Sequence, residues 1–189
     1  HSNKINNNRF DTNLLTGSLT ILESKLDNIK ISVNGGHLED SLNIINSTGF
    51  IKSIKIEKSF QDAIDLDFSE LKIDQVFVNN SGNDCLDVSS GKYYIKNLYA
   101  KNCFDKGVSV GEKSFMTIEN VDINSAKIPL VSKDSSKLKI NNGVIKNYEH
   151  CAAVYVKKQE FGPSEITFEK NICPKDRILI QNYSNITYK

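Results

Sequence analysis

Several residue types are scarce in this chain of 189 residues. Tryptophan is absent, methionine occurs once, proline three times, and the only arginines are Arg9 and Arg177. No apolar run approaches the about 20 residues that a transmembrane helix requires, so membrane insertion is not expected. The formal net charge is +1, so the basic surplus typical of nucleic-acid-binding proteins is also missing. We therefore expect neither a membrane nor a nucleic acid as the partner.

A repeat of 22 residues is the main feature that the sequence does have. Residues 62–68 (Asp-Ala-Ile-Asp-Leu-Asp-Phe) return in the same polar and apolar order at 84–90 (Asp-Cys-Leu-Asp-Val-Ser-Ser). A fixed period of this length is typical of a solenoid, in which residues i and i+22 become neighbours. Apolar residues recur at about this step eight times and predict about eight coils: Leu19, Leu42, Ile64, Leu86, Val108, Leu130, Ala152 and Ile178.

Each repeat is predicted to contain short β-strands. Apolar and polar residues alternate with a period of two, β-branched residues are favoured, and no segment has the spacing of an amphipathic helix. The leucine-rich-repeat pattern is also missing. We therefore predict an all-β fold, a right-handed parallel β-helix. It should cover residues 18–189 and belong to a longer protein, and residues 1–17 should form an end cap or the boundary of an expressed fragment.

A second set of apolar residues predicts the remaining strands of each coil. In the later repeats this set consists of Ile118, Val121 and Ile123, then Ile140, Val144 and Ile145. After these strands, asparagines recur at nearly the same step, where stacked side-chain amides can satisfy backbone groups at a turn. They are Asn80, Asn102, Asn124 and Asn147.

The four cysteines are interpreted through the repeat. Cys85 and Cys151 occupy the same repeat position three coils apart, roughly 14 Å, which is too far for a disulfide. Cys103 and Cys173 share no obvious register with them. We therefore expect buried, reduced, structural thiols, and no spacing suggests a zinc site.

Alternation also predicts which side chains of the first strand set point outward. Ile64 and Leu66 point into the core, so the residues between and around them line the surface. Following these positions from coil to coil gives a line of acidic, lysine and tyrosine residues, here called the Asp/Lys strip. Its predicted ligand-binding and catalytic members are Asp62, Asp65, Asp67, Asp84, Asp87, Lys106, Ser109, Glu112, Lys133, Asp134, Tyr155 and Lys157.

The strip permits several kinds of chemistry. Asp65 and Asp87 lie on adjacent strands, about 4.8 Å apart, so repulsion would raise one pKa or recruit a cation. Together with Asp67 they form a candidate Ca²⁺ site. Lys106 would serve as a base if its pKa were lowered, or would simply pair with Asp84 or Asp105. Asp62 and Asp84 are at turns, where the alternative role is to accept hydrogen bonds from backbone amides.

Three segments carry a resemblance to a known family. They are 105–114 (Asp-Lys-Gly-Val-Ser-Val-Gly-Glu-Lys-Ser), 132–136 (Ser-Lys-Asp-Ser-Ser) and 154–162 (Val-Tyr-Val-Lys-Lys-Gln-Glu-Phe-Gly). The chain resembles, over roughly 40–165, bacterial right-handed β-helix domains of the pectate-lyase-like superfold. Similar domains occur in multidomain surface or envelope proteins, some with a spore-coat-kinase-like module. The resemblance implies the fold. It does not imply one function, because the superfold includes lyases, epimerases, hydrolases and inert stalks.

Two main functions are compatible with these residues. The first is a non-catalytic module that binds a polysaccharide, or neighbouring domains of the same protein, along the strip. The second is a polysaccharide-active lyase, epimerase or glycoside hydrolase that uses Asp65, Asp87 and Lys106. Because arginine is missing from the strip, a lyase would need Lys106 or Lys133 in its place. An extracellular or cell-envelope location is favoured, and assembly through the ends of the helix is a third hypothesis.

Overall fold

The computed structural model describes residues 9–181 and 183–189. Residues 1–8 of the predicted N-terminal cap, which was placed at 1–17, lie outside the described residues. The described chain consists of strands and one short 3-10 helix, Lys175–Arg177, and it contains no helix long and apolar enough to cross a membrane. The strands are β1 Gly17–Leu22, β2 Lys25–Asn34, β3 Asp40–Ile45, β4 Thr48–Ser59, β5 Asp62–Asp67, β6 Glu70–Ser81, β7 Leu86–Ser89, β8 Lys92–Gly111, β9 Phe115–Lys133, β10 Lys137–Lys146, β11 Ala152–Tyr155, β12 Glu165–Phe168, β13 Ile178–Ile180 and β14 Asn185–Tyr188.

The strands stack in parallel into a β-solenoid of about eight turns with a spacing of about 22 residues, as predicted. Each coil has three sides, which we call A, B and C. In one coil, side A is 62–67, side B is 70–73 and side C is 75–81, and β6 bends between B and C at Asp74, where the ladder of paired residues is interrupted. In later coils a single long strand such as β8 runs through sides B, C and A. The strands near Leu19 and Ile178 pair at the predicted register.

The core lies inside the coils and is built by alternation. On side A, Ile64 and Leu66 are fully buried, and Leu86 and Val88 continue the same two columns one coil later. Side B contributes the column that begins at Ile51 and continues through Ile73 and beyond. Stacked β-branched side chains of this kind bury the inward face of every parallel strand. Because each strand pairs with the strand of the next coil, no unpaired strand edge lies between neighbouring coils of the described chain.

One predicted core position on side C is wrong. Gly143, not Val144, pairs with Val121, and Val144 pairs with Asp122 and is half exposed. A β-carbon at Gly143 would lie 2.3 Å from the carbonyl oxygen of Val121. The step between these coils therefore stays at 22 residues, and the close backbone contact takes the place of an apolar side chain.

The predicted asparagine ladder is present only as two separate pairs at the corner that follows side C. Asn102 donates its Nδ2 hydrogen to Asn80 Oδ1 at 2.8 Å, and Asn147 donates to Asn124 Oδ1 at the same distance. Asn80, Asn102 and Asn147 have positive φ, which asparagine tolerates better than most residues. In the coil of Asn124 the positive φ falls instead on Ser125, because this repeat contains one additional residue.

A serine ladder at the corner between sides A and B was not predicted. The backbone N–H of one serine donates to the hydroxyl of the serine in the next coil, as in Ser47 to Ser69 at 2.9 Å and Ser114 to Ser136 at 3.1 Å. These rungs satisfy corner amides that no strand can pair. The donor–acceptor steps are Ser24–Ser47, Ser47–Ser69, Ser114–Ser136, Ser136–Ser164 and Ser164–Ser184.

Gly91 interrupts this ladder, and a tyrosine replaces the missing rung. The buried Tyr93 hydroxyl accepts the N–H of Ser69 at 3.3 Å and donates to Leu66 O at 2.8 Å. A β-carbon at Gly91 would lie 2.4 Å from this hydroxyl, so only glycine leaves room for it. Burial raises the pKa of Tyr93, which keeps the phenol protonated as the donor.

The prediction of reduced cysteines is wrong, because two disulfides are present. Cys85 bonds Cys103, with the Cα atoms 5.4 Å apart, and Cys151 bonds Cys173, with the Cα atoms 5.6 Å apart. Each bond joins adjacent coils at the corner between sides C and A. Cys103 is the last inward residue of side C and pairs with Ser81, so it reaches Cys85 across the corner and not along the 22-residue register. The predicted burial of the four cysteines and the exclusion of a Cys85–Cys151 bond were correct.

Candidate functional site

The register on side A brings the predicted strip together. Asn43, Asp65 and Asp87 lie side by side on successive strands, and Ser109 follows Asp87 in the same column. These side chains point away from the core, yet Asn43 and Ser109 are almost completely buried by other members of the strip. The outer surface of side A is therefore a packed polar layer, and its members interact over several coils.

Lys133 is the most buried cation of this layer. Its side chain is 9% exposed, and its Nζ lies 2.7 Å from Ser109 Oγ and 3.4 Å from Asp87 Oδ2. Asp87 is two coils away in the chain, so the lysine reaches over the intervening strand. Gly111 makes this possible, since a β-carbon there would lie 2.8 Å from Lys133 Cε. Glycine at 111 thus has a role that its position in the repeat alone does not reveal.

Lys106 forms ion pairs with two aspartates. Its Nζ lies 3.3 Å from Asp84 Oδ1 and also contacts Asp105. Burial by itself lowers the pKa of Lys106, but the charges of Asp84 and Asp105 outweigh that effect and hold the pKa above its usual value. The condition for a lysine base, a lowered pKa, is not met, and both of the ion pairs considered as the alternative are present.

Asp62 and Asp84 accept hydrogen bonds from backbone amides of the next coil. Asp62 Oδ1 accepts the N–H of Asp84 at 2.8 Å, and Asp84 Oδ1 accepts the N–H of Lys106 at 3.0 Å. The structural role considered for this column is therefore observed at both positions. Burial nevertheless raises the pKa of Asp84 to about 7, although Lys106 opposes the shift.

The acidic half of the strip begins at β3 and β5. Asn43 donates Nδ2 hydrogens to Asp65 Oδ2 at 3.3 Å and to Asp67 Oδ2 at 3.1 Å. Burial and the neighbouring Asp67 charge raise the pKa of Asp65 well above its usual value, and burial also raises the pKa of Asp67. Burial raises the pKa of Asp40, at the edge of this group, to about 7. No lysine is paired with these carboxyl groups in the described part of the chain.

Two members of the acidic half were not among the predicted site residues. Asp40 and Asn43 are 2% and 1% exposed, and Asp40 Oδ2 and Asn43 Oδ1 are buried without a hydrogen-bond partner. Asp40 pairs in register with Asp62, and Asn43 pairs with Asp65. Their membership in the same columns was the sequence signal that could have identified them.

The predicted Ca²⁺ site at Asp65, Asp67 and Asp87 is not supported. Within residues 9–181 and 183–189, no group of three or more histidine, cysteine, aspartate or glutamate side chains could hold a metal ion. Asp87 is engaged by Lys133 instead.

The far end of the strip is organised by Asp134 and Lys158. Asp134 is buried, and its Oδ1 accepts the N–H groups of Lys157 at 2.6 Å and Lys158 at 2.8 Å. The Lys158 ammonium contacts Glu112 two coils earlier, whereas the predicted Lys157 side chain is exposed. Tyr155 pairs in register with Lys133 and is half-buried, and burial raises its pKa. Lys158 completes the site and was not among the predicted site residues, and Asp105 was predicted only as an alternative ion-pair partner of Lys106.

Comparison with known proteins adds no assignment: neither a protein family, nor a curated protein, nor a solved structure matches this chain. The class that the fold defines is a parallel β-solenoid with a polar layer on side A.

Proposed function

We propose that the chain is a non-catalytic module that binds a glycan along the Asp/Lys strip. The observation that carries the proposal is the network around Lys133, which joins Ser109 and Asp87 from neighbouring coils. Burying a lysine costs free energy unless the ammonium group is paired and hydrogen-bonded, and even a paired lysine adds little to the stability of a fold. Stability alone therefore does not explain why such a network is present. A fixed polar layer instead offers positioned donors and acceptors to a ligand.

The mixture of groups favours a ligand with many hydroxyls. Asp67, Asp87 and Tyr155 are partly exposed, and the strip changes from carboxyl groups in its first coils to the ammonium groups of Lys133 and Lys158 in later coils. Sugar hydroxyls can both donate to carboxylates and accept from ammonium groups, while a ring face can lie against Tyr155. A ligand of a single strong charge would be repelled by part of this surface.

The two disulfides support a location outside the reducing cytosol. This supports the wider proposal of a module from a bacterial surface or envelope protein with a pectate-lyase-like fold. The corners of the solenoid are short and do not build a deep cleft around a substrate, which favours a binding module over an enzyme.

We predict that the exposed rim of the strip determines glycan binding. The experiment is a glycan-array screen followed by calorimetry with the best ligand, using Asp67→Asn and Tyr155→Ala. Each change removes a partly exposed contact, so we expect affinity to fall about tenfold, equivalent to about 1.4 kcal/mol. Asp74→Asn is the matched control, because Asp74 lies at the bend between sides B and C. Absence of any glycan ligand, or equal affinity of all four proteins, would contradict the proposal.

An enzyme is the second candidate, and the state of Asp65 favours it. The raised pKa of Asp65 suits a general acid, and Asp87 lies on the adjacent strand, a spacing compatible with a retaining glycosidase. If this role exists, Asp65→Asn and Asp87→Asn should each lower product formation on a reactive glycan by about 10²–10⁴-fold. If the parent protein forms product and each of the two substitutions abolishes product formation, the protein is an enzyme and the binding-module proposal is wrong.

A further inference from the structure

A long groove lies on side B, on a different surface from the strip. It crosses seven coils and has a volume of about 1310 Å³. One row of its lining residues follows the strand register from coil to coil: Lys25, Thr48, Glu70, Lys92, Phe115, Lys137 and Glu165. A groove parallel to the solenoid axis fits an extended chain better than a compact ligand.

Three aromatic side chains are exposed in this groove. Phe50, Tyr94 and Phe115 are 36%, 37% and 51% exposed, although aromatic residues gain most by burial. Phe50 and Tyr94 are in the same column, two strands apart, which corresponds to about 10 Å. One strand spacing, about 4.8 Å, is close to the length of one pyranose ring along an extended glycan. The distance between the rings of Phe50 and Tyr94 therefore corresponds to about two sugar units of an extended glycan.

The charges of the groove specify the ligand further. Five lysines and three acidic residues line it, and Glu70 and Glu165 are already paired with Lys92 and Lys137. Lys72 lies in register between Phe50 and Tyr94, is exposed, and has no ion-pair partner within the described chain. A single ammonium group between two aromatic platforms matches one negative charge per sugar pair.

We propose that the side B groove binds one extended strand of an acidic polysaccharide, with sugar rings against Phe50 and Tyr94 and an acidic group against Lys72. This surface is separate from the Asp/Lys strip. The proposal therefore does not depend on the strip binding a glycan, and the two surfaces can be tested with different variants.

The experiment measures the affinity of the protein for oligogalacturonate, for its methyl ester and for a heparin fragment, which separate a carboxylate requirement from a sulfate requirement. The variants are Phe50→Ala/Tyr94→Ala and Lys72→Gln. Tyr99→Ala is the matched control, because Tyr99 is an exposed aromatic residue on side C. Tyr155→Ala tests the strip. All of these side chains are partly or fully exposed, and unchanged thermal unfolding midpoints establish that the variants fold.

We expect at least one acidic oligosaccharide to bind in a salt-dependent manner and the double variant to weaken it at least about tenfold. Lys72→Gln should reduce the affinity to that of the uncharged ester, whereas Tyr99→Ala and Tyr155→Ala should leave it unchanged. The proposal is wrong if neither acidic ligand binds, if the ester binds equally well, or if Tyr155→Ala alone abolishes binding. Tighter binding of single-stranded DNA through the same residues would also overturn it and assign a nucleic acid partner.

Discussion

Tyr93 shows how one residue can replace a rung of the serine ladder. Its hydroxyl occupies the space left by Gly91 and contacts Ser69 and Leu66, so the residues at 91 and 93 depend on each other. The alternation of apolar residues predicts that Tyr93 points inward, as Leu71 and Met116 do in the neighbouring coils. It does not predict the hydrogen bonds, because these depend on a corner that lies outside the strand pattern.

We predict that Tyr93→Phe lowers the free energy of unfolding by about 1–3 kcal/mol, because Ser69 N–H and Leu66 O lose a buried partner. Chemical denaturation measures the change. Tyr99→Phe is the control, since Tyr99 is exposed and stacks on Phe77 through its ring. Equal stability of Tyr93→Phe and the parent protein would show that the hydroxyl is not needed as a rung.

At the scale of the coil, the sequence predicted most of what the strands determine. The register of side A, the inward columns and the asparagine ladder all follow from the 22-residue step and from alternation. The disulfides and the serine ladder lie at corners, where residues of two sides meet, and a search along one register cannot find them. The same limit applies to the site: the columns placed Asp65, Asp87 and Ser109 correctly, whereas the reach of Lys133 over one coil depends on the space at Gly111.

We predict that each disulfide stabilises the solenoid by about 3 kcal/mol, because it closes a loop of about 20 residues in the unfolded chain. The variants Cys85→Ala/Cys103→Ala and Cys151→Ala/Cys173→Ala should each lower the free energy of unfolding by this amount. Peptide mapping without reduction should recover the Cys85–Cys103 and Cys151–Cys173 pairs. Free thiols or any other pairing would contradict the described arrangement.

At the scale of the molecule, the acidic half of the strip makes stability depend on pH. The pKa values of Asp40 and Asp84 are about 7, and burial also raises those of Asp62, Asp65 and Asp67. An aspartate in the unfolded chain has a pKa of about 4. The folded state therefore binds more protons than the unfolded state between these values, and protons stabilise it.

We predict that the free energy of unfolding is highest at about pH 4 and declines as the pH rises through about 7. Asp40→Asn should make this decline less steep, because it removes one carboxyl group with a raised pKa. Asp74→Asn is the control: ion pairing with Lys52 lowers the pKa of Asp74, so this change should alter the slope only below about pH 4 and leave the slope between pH 4 and pH 7 unchanged. Denaturation at a series of pH values measures both slopes, and a stability that rises from pH 4 to pH 7 would refute the prediction.

The contacts of Lys133 with Asp87 and of Lys158 with Glu112 each span 46 residues. In most solenoids a repeat contacts only its two neighbours, so the number of repeats can change by duplication or deletion while the fold survives. Here a repeat gained or lost between residues 87 and 158 would preserve the stacking of the strands and still break at least one of these pairs, and a change between residues 112 and 133 would break both. The middle of this protein is consequently fixed in copy number, and change in length during evolution is restricted to the coils on either side.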